Sequence, residues 1–188
     1  MKIDKNTTFG EFLYISSLFG ASAKTIENIY DALKDYKPAK IAGKPVPKDF
    51  NRLTWADLTL LQSCKTEDEL LYTSFKTVIN VSKKELLMCP AIDVLAFILF
   101  ARHELARIVK MFSRIQHRPS AEERHAGIEQ LNFGLFGTLD WWAKRMGIAD
   151  HEEAEKTPWI RIYTCMKNDN LTEIFQKRLN EVILKKRR

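Results

Sequence analysis

Helix-start signals recur along the whole chain and limit its possible folds more than any other feature. Each is a Ser, Thr, Asp or Asn followed three residues later by an acid, and apolar residues at helical spacing come next. The first side chain can accept a hydrogen bond from a free amide of the first turn, and the acid complements the positive helix end. The pairs are Thr8-Glu11, Thr54-Asp57, Thr66-Glu69, Ser82-Glu85, Ser120-Glu123, Asp150-Glu153 and Asn170-Glu173. Such repetition predicts a chain built from many short helices.

Strand signals are nearly absent, and this sets the fold class. The chain has seven glycines, no Asn-Gly or Asp-Gly turn and no sustained alternation of apolar and polar residues. We therefore predict an all-α protein, a compact multi-helix domain of about eight to eleven helices. The longest helix should be central and run from about Pro90 to Gln116, because proline suits a first helical turn and Pro119 lies just past the end.

A Pro-rich segment suggests the domain organisation. Residues 35–53 contain three prolines and a glycine, so no helix can run through them. The prediction is an N-terminal helical hairpin over 1–34, a linker over 35–53 and a main helical domain over 54–188. The stretches 7–19 and 53–64 open alike, with a Thr, an aromatic residue and an acid. Either they form a degenerate repeat or both are simply capped helix starts, and we favour the second explanation.

Composition excludes several classes of protein. Hydrophobic residues make up 45% of the 188 residues and charged residues 29%, which is typical of a soluble globular protein and not of a disordered one. The longest apolar run, 96–101, is far shorter than the roughly 20 residues of a membrane span. The N-terminus has no apolar core typical of a signal peptide. The three cysteines are widely separated and predict reduced, buried thiols of an intracellular protein.

Motifs for catalysis and metal binding are missing or incomplete. Glu122 and His125 form one E-x-x-H, whereas a di-iron bundle needs two such motifs and two further glutamates. His151, Glu152 and Glu153 lie at a predicted helix start, where acids are expected anyway. The chain contains no G-x-S-x-G, no phosphate loop and no G-x-G-x-x-G. We predict a protein that is not an enzyme and needs no cofactor or metal.

Positive charge is concentrated in two places, where it could contact a polyanion. The last four residues supply four of the six net charges, and a basic row lies on one side of the long helix. Such a row could bind phosphates, but it is also what the solvated back of an amphipathic helix looks like, and we favour the latter. The residues are Arg107, Lys110, Arg114 and Arg118 on the helix, and Lys185, Lys186, Arg187 and Arg188 in the tail.

Two adjacent tryptophans point to a packing face and a binding face. Trp142 shares one helical face with Leu139, Ala143 and Met146, which predicts a core position. Trp141 must point about 100° away from it. We therefore predict a partner-binding surface at Trp141, Lys144 and Arg145.

A set of short motifs between residues 126 and 179 resembles a known family. The motifs are Ala126-Gly127-Ile128-Glu129, Phe136-Gly137-Thr138-Leu139-Asp140, Glu152-Glu153, Pro158-Trp159 and Lys177-Arg178-Leu179. The segment is similar to the C-terminal part of the tail assembly chaperones of tailed bacteriophages. It departs from the family pattern between Phe136 and Thr138, where the family has more residues.

The resemblance implies a function in binding, without catalysis. Such chaperones keep the tape-measure protein soluble and recruit tail-tube subunits during virion assembly, inside the infected host cell. The implied partners are phage tail or other virion proteins, with the chain itself a homo-oligomer in the host cytoplasm and with no membrane partner. One alternative is a structural virion component, such as a connector, tail-completion or capsid-associated protein. Another is a helical protein that binds nucleic acid.

Overall fold

A computed structural model describes residues 6–19, 29, 31, 33, 36–117, 119–131 and 133–186. These residues contain nine α-helices, one 3-10 turn and one small β-hairpin, which confirms the all-α prediction. The helices are α1 (Phe9–Phe19), α2 (Trp55–Ser63), α3 (Glu67–Ile79), α4 (Lys83–Leu87), α5 (Ala91–Ile115), α6 (Ala121–His125), α7 (Gly134–Met146), α8 (His151–Glu155) and α9 (Trp159–Lys186), with the 3-10 turn at Ile128–Gln130.

Most of the predicted helix starts are confirmed as hydrogen-bonded caps. Thr8, Thr54, Thr66, Ser82 and Ser120 each accept from the amide three residues on, and the acid there bonds back to the cap. Asp150 caps α8 through the amide of Glu152. The predicted start at Asn170 is wrong, because Asn170 lies inside α9 and its side-chain amide donates to the carbonyl of Ile115, at 3.1 Å.

The long central helix is also confirmed, at Ala91–Ile115. It is not the longest, since α9 has 28 residues and α5 has 25. The apparent cap at Asn170 had suggested a break where the helix in fact continues.

The Pro-rich segment contains structure that its sequence did not predict. Strands β1 (Lys40–Ile41) and β2 (Lys44–Pro45) pair antiparallel across a turn at Ala42 and Gly43, whose φ angles are 49° and 75°. Glycine adopts this left-handed region freely, whereas the alanine there is unusual. In the predicted N-terminal hairpin, α1 is described, but much of 20–34 lies outside the described residues.

The chain divides into two compact units. The first comprises Met1–Phe50 and Leu60–Arg107. Its core includes the rings of Phe75 and Phe97, whose centroids are 4.4 Å apart, and an edge-on contact of Phe50 with Phe100 at 5.3 Å.

The second unit comprises Asn51–Thr59 and Ile108–Arg188. Phe112, in the last turns of α5, is partly buried in this unit. The Phe112 ring contacts Trp55, Trp159 and Tyr163, with centroid separations of 6.0, 6.0 and 5.3 Å.

The two units share one local arrangement of helices. In each, a 13-residue helix ends at a left-handed residue, a capped five-residue helix follows, and a proline precedes a long helix. In each unit the proline forms an isolated antiparallel β-bridge with a threonine that caps another helix. The pairs are Pro90 with Thr8 and Pro158 with Thr54. The flanking backbone bonds also match: Phe9 N to Cys89 O (2.8 Å) and Ala91 N to Thr7 O (2.9 Å), against Trp55 N to Thr157 O (2.8 Å) and Trp159 N to Leu53 O (3.1 Å). The likeness of 7–19 and 53–64 therefore extends well beyond two independent caps.

Candidate protein-binding surface

The first half of α9 is held in the second unit by its apolar face. Trp159 and Ile162 are fully buried, and Tyr163 and Met166 are partly buried on the same side. Asn170 continues this side and bonds to the end of α5. The sequence forms a helix here because Pro158 precedes its first residue and the apolar residues follow at helical spacing.

The second half of α9 is exposed and carries many apolar side chains. Every residue from Leu171 to Lys186 is exposed, with Phe175 at 59% and Val182 at 51%. Exposed apolar patches of this extent mark interaction sites on soluble proteins. The apolar residues are Leu171, Ile174, Phe175, Leu179, Val182, Ile183 and Leu184.

Four of these apolar residues lie on the side of α9 that faces away from its packed face. At about 100° per residue, Phe175 and Val182 lie roughly opposite Ile162 and Met166 around the helix axis. Leu171, Phe175, Leu179 and Val182 follow one another at spacings of four, four and three residues. We call these four residues the α9 stripe, and it presents the anchor spacing that helix-binding surfaces use.

Charged groups occupy the other side of the same helix segment. Lys177 pairs with Glu173 at 2.7 Å, and this hydrogen bond lowers the pKa of Glu173 and raises that of Lys177. Nearby, His117 lies 2.9 Å from Glu123, whose pKa is lowered mainly by the cap bond from Ser120. A polar groove of about 300 Å³ lies here, between the end of α5 and α9. Asn170, Glu173 and Lys177 line it, together with Arg114, Gln116, His117 and Ile174.

A second exposed apolar cluster precedes and opens α7. Leu131, Phe133, Leu135 and Phe136 are all exposed, and the Phe136 ring lies 5.2 Å from that of His151. A Cβ at Gly137 would lie 2.6 Å from the Cβ of Phe133, so glycine is required for the chain to turn into the helix. The Phe136-Gly137 motif thus has a local structural role.

The predicted partner residues of α7 have contacts within the chain. Trp141 is partly buried, with the Arg145 guanidinium carbon 5.3 Å from its ring, and Arg145 also pairs with Asp169. Lys144 bonds to Asp140 at 2.6 Å. A partner surface at Trp141, Lys144 and Arg145 stays a prediction, while the α9 stripe is a larger exposed apolar surface that the sequence reasoning missed.

The core position of the neighbouring tryptophan is confirmed. Trp142 is 1% exposed and its indole Nε1 donates to Thr157 Oγ1 at 3.1 Å. Leu139 and Ala143 are buried with it. Met146 lies one turn further along the same face and is 42% exposed, where the helix ends at Gly147.

Comparison with known proteins adds no relative. No protein-family model, curated protein or solved structure matches this chain. The resemblance to tail assembly chaperones therefore rests on the motifs quoted from residues 126–179.

The residues predicted to contact a polyanion differ in their exposure and in their pairing with acids. Arg107 pairs with Glu104 at 2.7 Å, and that hydrogen bond raises the pKa of Arg107. Lys110, Arg114, Lys185 and Lys186 are exposed. Arg118, Arg187 and Arg188 lie outside the described residues.

The histidines and acids considered for a metal site are dispersed. Within the described ranges no group of three or more His, Cys, Asp or Glu side chains could hold a metal ion. Glu122 and His125 are both exposed, and His151 Nε2 lies 3.5 Å from Asp140 Oδ1. In the same part of the chain, no helix combines the length and apolar character needed to span a membrane.

Proposed function

We propose that this protein is a phage assembly protein of the tail-assembly-chaperone type, which binds tape-measure and tail-tube proteins without catalysis. The observation that carries the proposal is the α9 stripe, a row of exposed apolar side chains at helical spacing on a helix end whose side chains are exposed from Leu171 to Lys186. The family resemblance of residues 126–179 supplies the class of client. The protein would act in the cytoplasm of the infected cell.

The physical task of such a chaperone fits an exposed helical stripe. The resemblance implies that such a chaperone keeps a long tape-measure protein soluble by covering its helical segments. A row of apolar anchors can cover such a segment as one helix covers another. A homo-oligomer would present several rows to one client, and multivalency raises the overall affinity without new contacts.

Co-expression with the tape-measure protein of the same phage tests the proposal. We expect the wild-type protein to raise the soluble fraction of that client severalfold. The double variant F175S/V182S should lose the effect, because it removes two exposed anchors without touching the core. The matched variant Q176S/N180S changes the same helix on its polar side and should behave as wild type. A client that stays insoluble with every variant would contradict the proposal.

The structural alternative predicts a different fate for the protein. A connector, tail-completion or capsid-associated protein would remain in the particle at a fixed copy number, whereas a chaperone leaves before maturation. The α9 stripe suits both roles, so the choice between them depends on the composition of the virion.

A further inference from the structure

Basic residues lie along one edge of the α9 stripe and at its C-terminal end. At about 100° per residue, Arg178, Lys185 and Lys186 all lie within about 70° of the line through Phe175 and Val182. The two acids of the segment lie about 110° or more from that line, and one of them, Glu173, is paired with Lys177. A partner that approaches the stripe therefore meets apolar side chains with basic ones along one edge and at the C-terminal end.

This charge pattern favours one kind of partner for the stripe over a second copy of the same chain. Residues 171–188 contain six basic and two acidic side chains. Two copies of the segment would bring like charges together, which opposes self-association through this face. A partner helix that carries acidic residues would instead gain attraction to the basic edge and to the C-terminal end of the stripe, as flanking charges specify partners in coiled coils.

The other long helix, α5, has apolar side chains in its last turns that are covered within the chain. In α5, the last turns contribute Ile108, fully buried, and Phe112, packed against three aromatic rings of the second unit. The corresponding turns of α9 have every side chain exposed in the isolated chain.

We propose that the α9 stripe docks an amphipathic helix with an acidic flank, supplied by a partner protein. The inference rests on the proposed function and deepens it, since it states the chemistry of the client segment. Leu171, Phe175, Leu179 and Val182 form the apolar contact, and Arg178, Lys185 and Lys186 select acidic residues of the partner. Affinity comes from the apolar contact, and the choice of partner comes from the charges.

Two labelled peptides test this with the full-length protein. One is a three-heptad helix with leucine at the a and d positions and glutamate at e and g, and the other has lysine in place of every glutamate. By fluorescence anisotropy we expect the acidic peptide to bind at least about ten-fold more tightly than the basic one, with a difference that shrinks as salt rises. F175S/V182S should weaken acidic-peptide binding at least about ten-fold, and Q176S/N180S less than about two-fold.

Four outcomes would overturn the inference. The first is equal binding of both peptides, and the second is acidic-peptide binding that F175S/V182S leaves unchanged. The third is a wild-type dimer in sedimentation that F175S/V182S dissociates while the peptide does not bind, which makes the occupant a second copy. The fourth is binding to vesicles of phosphatidylcholine and phosphatidylglycerol with no peptide binding.

The peptide result and the co-expression result separate the two proposals. If the client is solubilised but the acidic peptide does not bind, the docking inference fails and the chaperone function stands. If the acidic peptide binds through the stripe but the client stays insoluble, the docking site stands and the chaperone function fails.

Discussion

Trp142 shows how one residue connects three elements of the second unit. Its ring is buried in α7, its Nε1 donates to Thr157 Oγ1, and the Arg161 guanidinium carbon of α9 lies 5.7 Å from the ring. The carbonyl of Thr157 accepts from the amide of Trp55, at the start of α2. Loss of the indole would therefore leave a cavity beside the paired helix starts of this unit.

Replacing Trp142 with alanine should lower the free energy of unfolding by about 3–5 kcal/mol, the usual cost of removing a large buried aromatic side chain. Trp142→Phe keeps most of the buried area and loses one hydrogen bond, so about 1 kcal/mol beyond the change in packing is expected. Phe175→Ala, at an exposed site, should stay within about 0.5 kcal/mol of wild type. Chemical denaturation measures all three, and equal midpoints for Trp142→Ala and Phe175→Ala would refute the assignment of the core.

At the scale of helices, the caps connect sequence to structure most directly, and they make stability depend on pH. The pKa values of Glu11 and Glu85 are lowered in the folded state, mainly because the backbone amides of Thr8 and Ser82 donate to the carboxylates. A lowered pKa adds stability above the ordinary value of 4.5, and that stability is lost as pH falls through the folded pKa.

The double variant E11Q/E85Q should therefore lose less stability than wild type between pH 5 and about pH 3. A glutamine at these positions stays neutral across the range and has no proton to take up. The control Glu181→Gln lies in the exposed end of α9 and should follow the wild-type curve. Denaturant midpoints across this range give the comparison. If the double variant loses as much stability as wild type, the two caps are not what titrates.

Local signals predicted the elements and failed where tertiary contacts decide. Caps such as Ser82-Glu85 and the proline before α5 act within one helical turn, so the sequence shows them directly. Asn170 and Glu173 match the residue pattern of a capped helix start. The side chain of Asn170 instead donates to the carbonyl of Ile115, 55 residues away in sequence. The residues of the α9 stripe all follow Asn170, so that false break left their spacing readable but hid that they lie opposite the packed face of the same helix. The hairpin at 40–45 was missed because its turn, Ala42-Gly43, has none of the usual hairpin pairs.

At the scale of the whole chain, the two units share a local arrangement of helices that is built from different residues. The ninth residue of each 13-residue helix is a fully buried aromatic, Phe75 in α3 and Trp142 in α7. The first residue of each long helix is also fully buried, but it is Ala91 in one and Trp159 in the other. Corresponding positions in the two units can therefore hold residues of very different volume. Each core tolerates this because its side chains together need only fill the volume of that core. Comparing the amino-acid sequences of the two units therefore reveals the two capped helix starts and little further similarity.

Quantitative mass spectrometry of purified virions, set beside assembly intermediates from the same infected cells, tests the central claim most directly. A binding protein that serves assembly and then leaves should be found with tape-measure or tail-tube proteins in the intermediates. It should be absent from the mature particle, or present far below one copy per tail. Detection in the particle at a fixed copy number matching a ring of tail or capsid subunits would contradict the account and assign the protein to the virion structure.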